Sequence, residues 1–239
     1  MNNVCSYGVS KKGPGHVRLN LPNQDAFLVK DFGICSLVVV SDGLGSKKYS
    51  HIGSQAVCNA VLKSVRQYVY SKKKHHSKNR SLPALIKKNW LQLIGDYDEN
   101  DCSATCLFVL KYGKKIFAAA LGDGMIFLNG KKTEDSVLII DEKDDDFSNS
   151  TSSMTSSDYN SKWRFESSNT GLINSVLVTT DGISSDLETG KECDFATDLL
   201  GELRKEKTVL KKTAYLENMI NNWPVPMHSD DQTAAVMEF

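Results

Sequence analysis

Three apolar runs in this chain end on the same dipeptide, and that repetition limits what the chain can fold into. Leu37-Val38-Val39-Val40-Ser41 runs into Asp42-Gly43, Phe117-Ala118-Ala119-Ala120-Leu121-Gly122 into Asp123-Gly124, and Val176-Leu177-Val178-Thr179-Thr180 into Asp181-Gly182. Two acidic positions stand at the starts of other strand-like runs: Asp25 before 26–30, and Asp230-Asp231 before 233–238. A single Asp-Gly after a strand is an ordinary hairpin turn, because both residues tolerate positive φ. Three of them with long apolar lead-ins, plus acids at two strand starts, fit a sandwich whose strand ends share one edge. Carboxylates gathered on one edge repel each other, and a bound cation relieves that repulsion. Carboxylates, a carbonyl beside glycine and water favour a hard ion, Mg²⁺ or Mn²⁺. The chain has no His or Cys cluster of the kind zinc prefers. Two hard ions roughly 3.5–4 Å apart can generate a hydroxide and clamp a phosphoryl group for in-line displacement.

The rest of the pattern places these acids on a framework. Residues 4–10 and 26–30 read as short strands around a Gly/Pro-containing loop, and 34–41 as a strand buried on both faces. Ile52, Ala56, Val57, Ala60, Val61, Val65 and Val69 recur at helical spacing over 51–70, with Ser50 as the expected N-cap. A basic run at 72–80 leads into a second helix over 82–97 and reads as a solvated connection. Strands follow at 104–112, 115–121 and 125–129, the first two joined by a turn at Tyr112-Gly113. Residues 141–170 are acidic, then Ser-rich, with little to bury, and read as an exposed insertion. A strand at 176–180, helices over 194–205 and 209–222, and a closing strand at 233–238 complete the order. Strands before and after helical pairs, with few βαβ alternations, indicate an α+β fold with antiparallel sheets covered by helices.

Composition narrows the function classes. The 239 residues carry 29 basic and 29 acidic side chains, so nothing in the charge balance points to nucleic acid or an anionic membrane. No apolar run approaches the roughly 18–20 residues that span a bilayer, and residues 1–13 lack the apolar centre of a signal peptide. A cytoplasmic protein is expected. The six cysteines form no CxxC pair and lie mostly in apolar stretches, as buried reduced thiols do.

In this order, from Asn23 to Thr233, the motifs resemble the metal-dependent protein phosphatases of the 2C type, most closely their short bacterial branch. The resemblance implies a single catalytic domain over 1–239, a β-sandwich of two antiparallel sheets flanked by pairs of helices, with 141–170 in the place of the variable flap. It implies Mg²⁺ or Mn²⁺ as cofactor, two ions with a third weaker site. Asn23-Gln24-Asp25 is similar to the acidic opening motif, Asp25 reaching a metal through water. Asp42 would bridge both metals and the Gly43 carbonyl would ligate one. Asp101-Cys102-Ser103-Ala104-Thr105 resembles the small-residue stretch before a central strand. Gly122-Asp123 matches the third site and Thr180-Asp181-Gly182 a further ligand motif. In Asp230-Asp231-Gln232-Thr233, Asp230 would be the ligand and Asp231 its neighbour.

The chain departs from the family pattern in three places. Gln24 stands where many members have Glu. Asn20 occupies the usual position of the phosphate-binding arginine, leaving Arg18 as the nearest substitute. Leu44 follows Asp42-Gly43 where some members have a histidine general acid, so His16, His51, His228 or a metal-bound water would supply the proton, with His16, on the same loop as the opening motif, ranked first. The implied function is a serine/threonine protein phosphatase that hydrolyses phosphoprotein monoesters directly, with water activated between two metals. Arg18 would then grip the phosphate and His16 donate a proton. Its partners would be phosphorylated proteins, a cognate Ser/Thr kinase or that kinase's targets, met by a monomer in signalling. An aspartyl-phosphate mechanism needs Asp-x-Asp, and Val40 and Thr179 stand two residues before Asp42 and Asp181. The non-enzyme alternative is a pseudophosphatase that binds phosphoproteins as a regulatory module.

Overall fold

The structure, a computed structural model, describes residues 4–70, 82–140 and 151–239. It contains ten strands in two five-stranded antiparallel sheets. The first has the order β1 (Cys5–Lys11), β10 (Gln232–Glu238), β9 (Ile173–Thr179), β6 (Met125–Gly130), β7 (Val137–Ile140). The second has the order β2 (Ala26–Asp31), β3 (Cys35–Ser41), β4 (Cys106–Tyr112), β5 (Lys115–Leu121), β8 (Arg164–Asn169). Helices α2 (Ser50–Tyr70) and α3 (Leu82–Ile94) cover the second sheet, and α5 (Glu192–Lys205) and α6 (Val209–Asn221) the first. Two short helices, α1 (Pro14–Arg18) and α4 (Asp181–Ser184), lie beside the acidic motifs.

The period of two in each strand sorts its side chains between layers. On β3, Val38 and Val40 point between the sheets and meet Val109, Ile126, Val178 and Ala235. Leu37 and Val39 point the other way, against Val57, Val61, Ile86 and Trp90 of α2 and α3. The first sheet repeats this: Phe127, Leu177 and Val236 pack under Leu199, Leu203, Leu216 and Ile220. A strand covered on both faces has no polar side to alternate with, which is why 34–41 reads as one continuous apolar run. The sandwich with flanking helical pairs is the expected α+β architecture.

Several local expectations change. The hairpin after Tyr112 forms as expected, with Tyr112 paired to Lys115 and Gly113 at φ +58. Ser50 is not a free N-cap: it is the first residue of α2, it is buried, and its hydroxyl bonds nothing among the described residues. The segment from 141 to 170 is not uniformly exposed where it is described. Met154, Tyr159 and Trp163 are buried against the α2/α3 side of the second sheet, and Arg164–Asn169 adds strand β8 to its edge. The basic run at 72–80 and residues 141–150 lie outside the described residues. Among the described residues, no helix is long and apolar enough to cross a membrane.

Candidate metal centre

Strand register brings the acids together. Ala26, the first residue of β2, pairs with Ser41, the last of β3, so Asp25 and Asp42 leave adjacent strands at one end. Thr179, the last of β9, pairs with Ala234 near the start of β10 and with Met125, the first of β6. Asp181, Asp230 and Asp123 therefore leave the other sheet at the same end. Gly122 and Gly124 flank Asp123 at φ +96 and +107, a conformation that side-chain-bearing residues rarely adopt. Gly43 is required for space, since a Cβ there would sit 2.6 Å from the Ser50 backbone.

Carboxylate oxygens of Asp42, Asp123 and Asp181 all lie within 4.8 Å of one another. Asp25 is buried beside them and accepts a hydrogen bond from Thr180 Oγ1 at 2.8 Å. Burial first, and the Asp231 charge less, push its carboxyl up to about 7, against the hydrogen bonds from Thr233, Thr180 and Asp42. Asp42 is raised well above the usual carboxylate range by burial, then by the charges of Asp25 and Asp181, with Asp230 contributing. Burial, then Asp123 and Asp230, push Asp181 up to about 7, while the backbone N–H groups of Gly182 and Asp181 hold it down. Asp25, Asp42 and Asp181 are thus desolvated on one rim with Asp123 among them and Asp230 exposed at its edge, and without a cation some of the desolvated carboxyls keep protons. Asp123 Oδ1 is buried with no hydrogen-bond partner among the described residues. A buried acceptor without a donor, inside a cluster of acids, is what a divalent cation would satisfy. The donor set is all oxygen, so the residues fit Mg²⁺ or Mn²⁺.

The expected grip residues sit on α1. Asp231 is buried and accepts from the Gly13 N–H at 2.7 Å and the Gln24 N–H at 2.6 Å, while His16 Nδ1 lies 2.8 Å from its Oδ2. That last contact is close but off the hydrogen-bond direction. The Gly15 N–H also donates to the Ser229 carbonyl at 2.8 Å. Residue 231 is therefore the anchor that docks α1 beside Asp230. His16 is brought against this anchor, and Arg18, the last residue of α1, is solvent-exposed. Gln24 is buried, and its carbonyl accepts from the Gly43 N–H and from Ser54 Oγ. A neutral side chain there adds no further charge to the five acids. Asn20 takes the left-handed conformation, φ +54, just past α1. His51 is the second residue of α2, and His228 faces Asp186.

Sequence reasoning did not find the residues that hold the acids. Thr105 Oγ1 accepts from the Asp42 N–H, Thr151 Oγ1 donates to Asp123 Oδ2 at 2.8 Å, and Arg164 donates to the Gly122 carbonyl. Threonine directly before an acid, as in Thr180-Asp181, was the one available signal. Thr151 and Arg164 come from a distant segment and carry none.

The sequence model of the family Protein phosphatase 2C matches residues 12–220. A search of curated proteins finds no match. Solved structures share the fold at low identity. The serine/threonine phosphatase Stp1 of Staphylococcus aureus superposes with a TM-score of 0.68 at 16% identity, over 100% of this chain and 96% of that one. The catalytic domain of the serine threonine protein phosphatase PstP, in complex with two manganese ions, gives 0.60 at 14% identity, covering 98% and 97%. RsbX in complex with magnesium gives 0.61 at 15%, covering 100% and 96%.

Proposed function

Because the chain belongs to the protein phosphatase 2C family, we propose that it hydrolyses phosphoserine and phosphothreonine in proteins with two divalent metal ions held by its strand-end acids. The observation that carries this reading is the convergence of Asp42, Asp123 and Asp181 within 4.8 Å, with Asp123 Oδ1 buried and unpartnered. Asp42, Asp181 and Asp230, with the Gly43 carbonyl, would hold the two ions, Asp25 through water, and Asp123 a third. Bound there, Mg²⁺ or Mn²⁺ would lower the pKa of water and neutralise charge on the phosphoryl oxygens. Arg18, exposed on α1, would offer its planar fork to those oxygens. His16 would give a proton to the departing serine or threonine oxygen, with Asp231 behind its Nδ1 to orient the ring. The anchoring of α1 to the 229–231 segment supports both roles, because it fixes them next to Asp230. The 141–170 segment would act as the substrate-facing flap, and Thr151 on Asp123 supports this. In this reading the chain is one catalytic domain that works as a cytoplasmic monomer in signalling, opposite a Ser/Thr kinase.

Release of phosphate from a panel of phosphoserine, phosphothreonine and phosphotyrosine peptides tests the reading. Turnover of the first two with Mn²⁺, lost on chelation, is expected. Equal turnover with and without chelator, or none on any peptide, overturns it, the latter in favour of a binding module.

A further inference from the structure

We infer that Asp186, His228 and Trp223 form a clamp that positions Asp181 against Asp230 and thereby sets how tightly the chain holds a divalent cation. The inference rests on the reading of the carboxylate rim as a metal centre and adds residues outside it.

The two acids lie on segments with little structure of their own. Asp181 opens α4, a helix of four residues. Asp230 lies one residue from the end of the connection from α6 to β10, which has no regular element before Gln232. Charge drives these segments apart, since Asp181, half-buried, and Asp230, exposed at the edge of the rim, are like-charged neighbours. What joins them is specific. Asp186 stands two residues past α4 and is tied to it, with the Ser185 N–H on the Asp181 carbonyl at 2.8 Å and the Asp186 N–H on the Ile183 carbonyl at 3.3 Å. Its Oδ2 accepts from Trp223 Nε1 at 2.8 Å and lies 3.1 Å from His228 Nδ1. His228 is two residues before Asp230 and its side chain is 10% exposed. Trp223 is itself held edge-on against Phe195 of α5, ring centroids 6.0 Å apart. Nearer the acids, Gln232 Nε2 donates to the Gly182 carbonyl at 3.1 Å, and the Asp231 carbonyl comes so close to Gly182 that a Cβ there would stand 1.9 Å away. The segments thus touch at 182 and are bolted at 186. A single carboxylate oxygen serving two ring N–H groups, one on each side of the 223–228 turn, fixes the path of that turn. With the bolt gone, the repulsion between the acids is opposed at Gly182 and, on the strand side, where the Thr180 N–H donates to the Thr233 carbonyl and the Thr233 N–H to Thr180 Oγ1, each at 3.1 Å.

None of the three belongs to the carboxylate cluster, so each is a positioning residue. Removing a partner that orients ligands weakens metal binding about 10–100-fold in other proteins, and the lower end is expected here because the bolt acts through backbone. Titration calorimetry with Mn²⁺ on the purified full chain, beside the melting temperature of the metal-free protein, tests it. Asp186→Ala should weaken Mn²⁺ binding about tenfold. Asp186→Asn, which keeps an acceptor oxygen, should recover most of that, and Trp223→Phe should fall between. A lower melting temperature in Asp186→Ala with the wild-type dissociation constant makes the network merely structural and overturns the clamp. Where Asp186→Ala does not fold, the other two variants decide: affinity weakened most in Trp223→Phe supports the clamp, and wild-type affinity in both overturns it. Wild-type protein that takes up no Mn²⁺ overturns the metal reading itself, and is told apart because there is then no affinity for any variant to change.

Discussion

Asp42 carries the cost of the site on a single side chain. It follows a strand buried on both faces, its N–H is tied to Thr105 Oγ1, and Asp25, Asp181 and Asp230 raise its carboxyl well above the usual range behind the larger effect of burial. A neutral residue of the same shape removes that cost. Asp42→Asn should therefore raise the melting temperature of the chelated protein at pH 8, measured by calorimetry, while abolishing the upward shift that Mn²⁺ gives the wild type. A lower melting temperature in the chelated variant would contradict the electrostatic account. The acids were legible because strand pattern and Asp-Gly coincide three times. The anchoring role of Asp231 was not, because only the folded chain brings the Gly13 and Gln24 N–H groups onto its buried carboxylate. Cysteine burial was legible from apolar context, except that Cys5 is half-buried and Cys193 exposed. Cys35, Cys58, Cys102 and Cys106 are buried, and burial raises all four thiols. A thiol reagent should label Cys193 before any of these four, and those only after unfolding, as read by peptide mass mapping.

At the scale of elements, long helices and buried strands announced themselves and short or edge elements did not. Helix α1 has five residues, including a proline and a glycine, too few to show a period, and its place is set by bonds to 229–231. Strand β8 reads Arg-Phe-Glu-Ser-Ser-Asn, polar because it is a sheet edge, and only its pairing with β5 reveals it. Trp163 before it looked like part of a polar loop, yet its ring is buried between Phe108 and Tyr159. Trp163→Ala should cost about 3–5 kcal/mol in denaturant unfolding, as buried aromatics do. A value near zero would return this segment to a surface insertion. Helix α2 offers a sharper test at Gly53. Propensity alone favours alanine by about 1 kcal/mol. A Cβ at 53 would stand 1.8 Å from the Cys102 carbonyl, which is backbone and cannot swing away. Gly53→Ala should therefore destabilise by about 1–3 kcal/mol, the range for overpacking, and a stabilised variant would show that the two segments are not in contact.

For the molecule as a whole, the acidic rim links stability to pH and metal. Asp25 and Asp181 titrate at about 7 in the folded chain without metal, against about 4 for an unfolded carboxyl. Between those values the folded state holds more protons than the unfolded one, so stability falls as pH rises through the window. The chelated protein should melt higher at pH 5.5 than at pH 8, and saturating Mn²⁺ should remove or reverse that slope because the cation binds the ionised acids. The most direct test of the metal centre as the hydrolytic centre is phosphate release from one phosphothreonine peptide across a Mn²⁺ titration, for the wild type, Asp42→Asn and Asp181→Asn. A saturable rise in the wild type, with both variants slower by about two orders of magnitude or more, is the predicted result. Wild-type rates in both variants would contradict it.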